Sequence, residues 1–412
     1  MSPNDLLENI FDKFLQDSHV FKNREVLHPD YVPDNLPHRE EQTRRIGNIL
    51  APVLRGSRGS NIFIYGQTGT GKTAVIKYVL NRLLQKGREI GAPIEVSYIN
   101  CRLAGTEYRV LARMSGNVGL RVPFTGLATA EVFDRFKIVL GSRGSLLVVV
   151  LDEIDSLVKA YGDVLLYELT RINEGLKESR VSIVGISNDL HFKEMLEPRV
   201  LSSLGEEEVI FRPYTAPEIL DILLQRSTAA LLDDVLTEGA LNLCSALAAA
   251  EHGDARRALD LLRVAAELTE REGKQRITED EIRLAQNEIE RDRVVEVLKT
   301  LPLHSKLVLF GAYLITKASI KNSVTGDIYE VYRELCTVLG TDPLTQRRVS
   351  GIISELDTMG VLNSRIVSLG RYGRTKKVSL GIPRGVVRNV YSEDHWVGQL
   401  VGYAPKCLSN KE

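Results

Sequence analysis

Residues 66–73 read Gly-Gln-Thr-Gly-Thr-Gly-Lys-Thr, and the fold of the first part of the chain can be inferred from this sequence. It fits the pattern Gly-x-x-x-x-Gly-Lys-Ser/Thr, with the apolar run Asn61–Tyr65 before it and a helical pattern, Ala74–Gln85, after it. Glycines let backbone N–H groups approach phosphate oxygens, and the N-terminus of a helix favours negative charge. A chance glycine-rich turn is the alternative, but it gives no reason for a strand before and a helix after. The stretch therefore predicts a phosphate-binding loop for ATP and Mg²⁺.

Two residues of this loop have individual predicted roles. Lys72 places a positive charge at the β- and γ-phosphates, and the hydroxyl of Thr73 is a Mg²⁺ ligand. The residues that we expect to bind the nucleotide are Gly66, Gln67, Thr68, Gly69, Thr70, Gly71, Lys72 and Thr73.

A second apolar run, Leu146–Leu151, ends in the two carboxylates Asp152 and Glu153. We expect Asp152 to hold the Mg²⁺ shell and Glu153 to polarise the attacking water. The alternative is a strand that ends in an exposed acidic turn. With the phosphate loop upstream, the pair favours an ATPase site.

Three further polar residues are candidates, each with a simpler alternative. Asn188 follows the run Ile183–Ser187 and can orient the water or touch the γ-phosphate, or it can form a turn. Arg256 begins a predicted helix and can reach the phosphates, or remain solvated; Arg257 is an open alternative for the same role. Arg199 can act on a neighbouring protomer's nucleotide, or form a local salt bridge.

From Asn61 onward short apolar runs alternate with helical patterns, which indicates a parallel sheet covered by helices. The predicted strands are Asn61–Tyr65, Ile94–Asn100, Leu146–Leu151, Ser182–Ser187 and Glu208–Phe211, with a helix predicted at Val164–Glu178. After Pro213 only helices are predicted, at Ala216–Leu231, Thr237–Glu251, Asp254–Arg271 and Thr278–Lys299. The patterns divide the chain into an N-terminal helix and arm (1–40), an α/β base (41–213), a helical domain (214–293), a C-terminal domain (294–400) and a tail (401–412).

Composition limits the classes of function only weakly. The 412 residues are 43% hydrophobic and 26% charged, and the net charge of −1 gives no global sign of a nucleic-acid partner. The four cysteines are scattered, without a Cys-x-x-Cys pair, which favours a reduced intracellular protein without structural zinc. The acidic flanks of the predicted helix Met1–Gln16 exclude a signal or transit peptide. We expect a cytoplasmic, nucleoid-associated protein with no membrane span.

The C-terminal domain shows a local pattern typical of DNA binding. Helices are predicted at Leu303–Thr316, Asp327–Leu339 and Leu344–Met359, followed by β-like runs Arg365–Ser368 and Lys377–Leu380. Helices followed by a basic hairpin predict a winged helix, which places one helix in the major groove and follows the phosphates with its wing. A protein-docking winged helix is the alternative. The candidate DNA-binding residues are Arg347, Ser350 and Ser354 on the last helix, and Arg365, Arg371, Tyr372, Arg374, Lys376 and Lys377 on the hairpin.

The stretch Gly105–Phe136 is longer than one connecting helix requires. It contains Arg113 and Arg121, which can contact DNA or a partner, or belong to a purely structural excursion.

The motifs together resemble the archaeal origin-recognition and cell-division-control initiators of the AAA+ superfamily, over about residues 10–395. The resemblance rests on Leu-Pro-His-Arg-Glu at 36–40, Gly-Ile-Ser-Asn-Asp at 185–189, Pro-Arg-Val-Leu-Ser-Ser-Leu-Gly-Glu-Glu at 198–207, Gly-Asp-Ala-Arg at 253–256 and the winged helix. It implies an α/β AAA+ P-loop NTPase fold, a parallel sheet with flanking helices, together with an all-α lid and a C-terminal winged-helix domain.

The resemblance also implies roles for matching positions. Asn188 becomes sensor 1, Arg256 becomes sensor 2 and Arg199 becomes an arginine finger. The insertion between Arg113 and Phe124 becomes a DNA-contacting element. The further nucleotide contacts implied are Tyr31, Arg39, Tyr214 and Arg226.

The hypothesis is a replication initiator that binds origin duplex DNA and is a slow ATPase, using ATP and ADP states as a switch. The switch controls assembly with other initiator protomers and recruitment of the replicative helicase. Two competitors remain: a motor ATPase such as a clamp loader, and a non-catalytic regulator such as an ATP-sensing transcription factor or a docking scaffold.

Overall fold

A five-stranded parallel sheet forms the centre of the first part of the chain. Its strands are β1 (Asn61–Tyr65), β2 (Ile94–Asn100), β3 (Leu146–Asp152), β4 (Arg180–Ser187) and β5 (Glu206–Ile210), in the order β2-β3-β4-β1-β5. Strands β1 and β3 are buried along their whole length, as expected for a sheet covered on both faces. The order places the carboxyl ends of β3, β4 and β1 side by side. The predicted parallel sheet is therefore confirmed.

This computed structural model describes residues 18–123, 125–204, 206–318, 320, 323–368 and 374–409. The chain divides into two units, residues 1–285 and 286–412, and the division falls within one long helix. The helix predicted at Met1–Gln16 lies outside the described residues.

Helices flank the sheet of the first unit. They are α1 (Glu40–Leu50), α2 (Lys72–Ile90), α3 (Cys101–Ala104), α4 (Glu107–Asn117), α5 (Thr129–Gly141), α6 (Ile154–Tyr161), α7 (Val164–Arg171) and α8 (Pro198–Leu204). Helix α2 starts at Lys72, two residues before the predicted start, and ends where Gly91 adopts a left-handed conformation that glycine tolerates. The helix predicted over Val164–Glu178 was too long, because α7 ends at Arg171 and a 3₁₀ turn, Ile172–Gly175, follows it.

A helical segment completes the first unit. Its helices are α9 (Ala216–Ala230), α10 (Glu238–Ala250), α11 (Ala255–Arg271) and α12 (Glu279–Thr300), and α12 carries the division between the units. The predicted N-cap Asp254 accepts hydrogen bonds from two backbone N–H groups of α11.

The arm before α1 connects this helical segment to the sheet. Its beginning packs on the helical segment, since the Leu232 N–H donates to Val20 O at 2.9 Å and Phe21 pairs with Leu231. Its end leads into α1 beside the sheet, whose neighbours in the core include Leu36. The arm therefore spans from the helices to the α/β base.

The second unit contains α13 (Leu303–Lys317), α14 (Thr325–Leu339), α15 (Gln346–Thr358) and the antiparallel hairpin β6 (Leu362–Ser368) and β7 (Arg374–Leu380). This is the predicted arrangement of three helices and a hairpin, with longer strands than expected. Two helices after the hairpin, α16 (Arg384–Ser392) and α17 (Lys406–Ser409), were not predicted. Within the described residues, no helix has both the length and the apolar character needed to span a bilayer.

Candidate functional site

Two adjoining cavities lie at the carboxyl ends of β1, β3 and β4. The polar one is lined by Thr68–Thr73, Lys77, Tyr98, Asn100, Asp152, Glu153, Asn188 and Arg256, among others. The second is more apolar and is lined by the arm from Pro29 to Pro37 together with Tyr214, Ile222, Gln225, Arg226, Arg256 and Leu259. The residues that line both cavities are Pro29, Asp30, Gly69, Gly71, Thr73, Lys77 and Arg256, so a phosphate chain and an attached aromatic base could occupy one continuous space.

Two glycines of the loop occupy positions that no other residue could fill without strain. Gly69 has φ +75°, and a Cβ there would lie 1.7 Å from Oδ1 of Asp254. Gly71 has φ +88°, and a Cβ there would lie 2.7 Å from the Tyr214 hydroxyl. The loop is therefore held close to the helical segment by positions that exclude side chains.

The Lys72 ammonium is turned into the loop. Its Nζ donates to the carbonyl oxygens of Gly66 at 2.6 Å and Gln67 at 2.7 Å, and the residue is only 5% exposed. Burial is the main cause that lowers the pKa of Lys72 to about 8, against the opposing charge of Asp152. Phosphate oxygens carry charge and accept stronger hydrogen bonds than carbonyl oxygens, so a phosphate chain could compete for this ammonium.

Thr73 and Asp152 form a hard oxygen site of the kind that Mg²⁺ prefers. The Thr73 hydroxyl donates to Asp152 Oδ2 at 3.3 Å, and the Glu153 backbone N–H donates to Oδ1 at 2.9 Å. Asp152 is 7% exposed and lines the polar cavity. A hydroxyl and a carboxylate beside a phosphate loop fit an ion that is shared with the phosphates.

Glu153 lies next to this site in a backbone conformation that is unusual for a non-glycine residue. Its φ of +52° turns the chain from β3 into α6. The side chain is half-buried and lines the polar cavity. Left-handed non-glycine residues cost energy and are concentrated at functional sites.

Asn188 also lines the polar cavity, and Asp155 positions it. Asp155 Oδ1 accepts from the Ser187 hydroxyl at 3.1 Å and from the Asn188 backbone N–H at 3.3 Å. Asp155 was not identified in the sequence analysis. Its only signal was that it stands two residues after Glu153, on the first turn of a helix.

The two arginines at the start of α11 have different surroundings. Arg256 is exposed and lines both cavities, whereas Arg257 is 9% exposed and its Nε lies 2.8 Å from Glu251 Oε2. The Ala255 N–H donates to the Gly69 carbonyl at 3.2 Å, which holds this end of the helix against the phosphate loop. Of the pair, Arg256 is thus the one placed to meet a nucleotide.

Arg256→Ala should weaken ATP binding by about 10- to 100-fold, because one charge-assisted hydrogen bond contributes about 1.5–3 kcal/mol. The matched variant Arg257→Ala should leave ATP affinity within about twofold. The variant should instead melt about 2–4 °C lower, because it loses about 1 kcal/mol from the packing of Arg257 and its ion pair with Glu251. Equilibrium binding of a fluorescent ATP analogue and thermal melting distinguish the two. The reverse pattern would assign the nucleotide contact to Arg257.

Arg226 and Tyr31 face each other in the apolar cavity. The Arg226 guanidinium lies 4.7 Å from the Tyr31 ring centroid, and its Nη2 donates to Tyr31 O at 2.9 Å. Burial lowers the pKa of Arg226, which is 6% exposed. Its Nη1 has no hydrogen-bond partner among the described residues. Tyr214 lines the same cavity.

Arg39 supports the phosphate loop from beneath, through hydrogen bonds to backbone carbonyls, and lines neither of these cavities. Its guanidinium donates to the carbonyl oxygens of Thr70 at 2.9 Å, His38 at 2.9 Å and Arg212 at 2.7 Å. It also lies 3.7 Å from the Tyr214 ring centroid. The structure therefore places Arg39 in the framework of the site, not at the cavity surface where a direct nucleotide contact was expected. Gly66 and Gln67 likewise lie outside both linings, where their carbonyls hold Lys72.

Arg199 lies apart from the cavities. Its Nε pairs with Glu197 Oε2 at 2.6 Å, and the guanidinium lies 5.2 Å from the Tyr167 ring centroid. This is the local salt bridge that the sequence left open. A role at a neighbouring protomer's nucleotide stays a prediction.

The candidate DNA surface of the second unit combines exposed and structural residues. Arg347, Arg365 and Lys377 are exposed. In the register of the hairpin, Arg365 of β6 lies opposite Lys377 of β7. Lys376 donates to the Ser354 hydroxyl, which donates to Ser350 O at 3.0 Å. These bonds fix the hairpin against α15, so Ser350, Ser354 and Lys376 shape the surface.

For three of the candidate DNA-binding residues, the structure describes the residue only in part or not at all. Arg371 and Tyr372 fall outside the described residues, and of Arg374 only its place in β7 is described. Arg113 and Arg121 are exposed and belong to the first unit.

Three segments of the chain match models of known protein families. Residues 35–184 match the family "AAA ATPase domain", residues 220–287 match "Cdc6 AAA+ ATPase-type lid domain", and residues 296–390 match "CDC6, C terminal winged helix domain". The chain is 50% identical over 393 residues to an ORC1-type DNA replication protein of Thermococcus onnurineus, covering 94% of this chain and 95% of the relative. The identity to an ORC1-type DNA replication protein 1 of Archaeoglobus fulgidus is also 50%, over 387 residues and 94% of each chain.

Solved structures are also similar to this chain, among them one that the match covers completely. The Aeropyrum pernix ORC1 protein, solved in complex with DNA, superposes with a TM-score of 0.82 at 51% identity. The match covers 93% of this chain and 100% of that one.

Proposed function

The chain belongs to the ORC1/Cdc6-type family of DNA replication proteins, and we propose that it initiates replication by binding origin duplex DNA under the control of its nucleotide state. The nucleotide is ATP or ADP, with Mg²⁺ for the triphosphate. The observation that carries the proposal is the combination, in one chain, of a phosphate-loop cavity and a winged helix with an exposed basic hairpin.

For the nucleotide, the proposal rests on the chemistry of the two cavities. The loop N–H groups, Lys72 and Arg256 bind the phosphates, and the arm with Tyr31, Tyr214 and Arg226 encloses the base. Thr73 and Asp152 hold Mg²⁺, which when bound neutralises charge on the β- and γ-phosphates. Glu153 accepts a proton from the attacking water, and Asn188 orients that water.

The control of shape rests on contacts between the loop and the helical segment. The Asp254 carboxylate lies against Gly69, and the Ala255 N–H binds the Gly69 carbonyl. A phosphate chain in the loop contacts Arg256 of the same helix. Nucleotide occupancy therefore changes how the helical segment closes on the phosphate loop. Slow hydrolysis suits such a switch, because the ATP-bound arrangement then persists.

For DNA, the proposal rests on the exposed cations of the hairpin and on the similar ORC1 protein solved with DNA. Arg347 on α15 faces the major groove, and Arg365 and Lys377 meet phosphates; Arg371, Tyr372 and Arg374 are proposed as further DNA contacts. Arg113 and Arg121 supply a second contact. The proposal extends to other protomers, through Arg199, to recruitment of the replicative helicase, and to action at the nucleoid in the cytoplasm.

The experiment that tests DNA binding removes the positive charges of Arg365 and Lys377. Each neutralised phosphate contributes about 0.9 to the slope of log K against log salt. The double variant Arg365→Ala/Lys377→Ala should reduce the magnitude of that slope by about 1.8, with ATP affinity intact. Titrations of origin duplex between about 50 and 200 mM salt measure it.

The charge-preserving variant Arg365→Lys/Lys377→Arg is the matched control and should keep the slope of the wild type. An unchanged slope in the alanine variant would exclude this hairpin from DNA binding and would favour a protein-docking winged helix.

A further inference from the structure

Tyr98 contacts the proposed Mg²⁺ site, yet none of the roles above uses it. It lies on β2, opposite Val150 of β3, and its hydroxyl donates to Asp152 Oδ2. The side chain is half-buried and lines the polar cavity. A phenol at hydrogen-bond distance from a metal-binding carboxylate needs a functional or structural reason.

The Asp152 carboxylate is held at both oxygens. Oδ1 accepts from the Glu153 backbone N–H at 2.9 Å, and Oδ2 accepts from both the Thr73 hydroxyl at 3.3 Å and the Tyr98 hydroxyl. The backbone donor fixes one end of the group, but Thr73 is itself needed by the ion. Tyr98 is therefore the side-chain donor that can keep Oδ2 in place while Thr73 turns toward a metal.

The surroundings of Tyr98 fix the direction of its hydroxyl. The Lys77 ammonium of α2 lies 5.7 Å from the Tyr98 ring centroid. Tyr98 also packs against the buried core cluster that contains Val75, Ile76 and Val79 of α2. The ring is thus packed between β2 and α2, and its hydroxyl is directed at Asp152 Oδ2.

We propose that Tyr98 is a positioning residue for Mg²⁺: by holding the Asp152 carboxylate in its binding orientation, it raises the affinity of the nucleotide site for the ion. The inference rests on the proposed role of Asp152 and Thr73 in the Mg²⁺–nucleotide site. A carboxylate that is already oriented loses less freedom when the ion binds. Loss of such an outer partner typically weakens metal affinity about 10- to 100-fold.

The test uses the full chain with Tyr98→Phe, which removes only the hydroxyl. A fluorescent ATP analogue reports binding as Mg²⁺ is added, so the readout does not depend on hydrolysis. The Mg²⁺ concentration at the midpoint should rise at least about tenfold. Binding of the analogue in EDTA should stay within about twofold of the wild type, because the phenol does not hold the phosphates.

Tyr78→Phe is the matched control, since Tyr78 is also half-buried, lies on α2 and lines neither cavity. Its Mg²⁺ midpoint should equal that of the wild type. In the double variant Tyr98→Phe/Asp152→Asn, the two substitutions should not add, because Tyr98 acts through Asp152.

Three outcomes would overturn the inference. If Asp152→Asn shifts the midpoint and Tyr98→Phe does not, the metal site stands and Tyr98 has no part in it. If Tyr98→Phe weakens binding equally in EDTA, its role is to maintain the cavity in general. If Mg²⁺ does not change nucleotide binding in the wild type or in Asp152→Asn, the proposed metal site fails as well.

Discussion

Glu153→Gln is expected to lower the rate of ATP hydrolysis by at least about 10²-fold while ATP binding stays within about twofold. Glu153 is the carboxylate that follows β3, lines the polar cavity and is turned there by its left-handed backbone. A positioned general base contributes about 10²–10⁴-fold to the rate of proton transfer. Glutamine keeps the size and polarity of the side chain but cannot accept the proton of the attacking water.

Single-turnover hydrolysis of radiolabelled ATP gives the rate, and equilibrium titration gives the affinity. The control is Glu131→Gln, since Glu131 is exposed on α5 and pairs with Arg135 outside the cavities. Hydrolysis at the wild-type rate in Glu153→Gln would exclude Glu153 as the base. Loss of ATP binding in this variant would assign Glu153 to the structure of the site.

Lys72→Ala is expected to weaken ATP binding by about a hundredfold or more. The Lys72 ammonium is buried in the loop, bonded to two carbonyls that a phosphate chain could replace. Two charge-assisted hydrogen bonds to phosphate oxygens contribute about 3 kcal/mol or more, and about 1.4 kcal/mol corresponds to a factor of ten in Kd. Calorimetric titration with ATP and with ADP measures the loss.

Lys86→Ala is the matched control on the same helix, because Lys86 is exposed and pairs with Glu89. It should bind ATP like the wild type. Unchanged ATP affinity in Lys72→Ala would mean that the loop does not bind the phosphates.

Much of the fold could be predicted from local patterns. Strands β1 and β2 begin and end as predicted, because uninterrupted apolar or alternating runs are bounded by polar residues or turns. Helix α16 was missed because Gly381, Pro383 and Gly385 around its start are typical of a loop. Helix α7 was predicted too long, because the apolar pattern continues past its end while Asn173 bonds to Val181 and shapes a turn.

The placement of a side chain at the site was predictable where it follows from a position at the end of a strand, as for Asp152 and Asn188. It was not predictable where the placement depends on a partner distant in sequence. Tyr98 meets Asp152 only because β2 lies beside β3, and Arg39 is bonded to the carbonyls of Thr70 and Arg212. No local pattern carries such pairings.

Whether nucleotide state controls origin binding can be measured with a genome-wide footprint of the purified protein on its own genomic DNA, with ATP, with ADP and with no nucleotide. We expect protection at a few loci where replication begins, with an extent of protection that changes between ATP and ADP. The variant Lys72→Ala should give the same footprint under all three conditions. Protection confined to promoters, or no protection even at low salt, would rule out a nucleotide-controlled replication initiator.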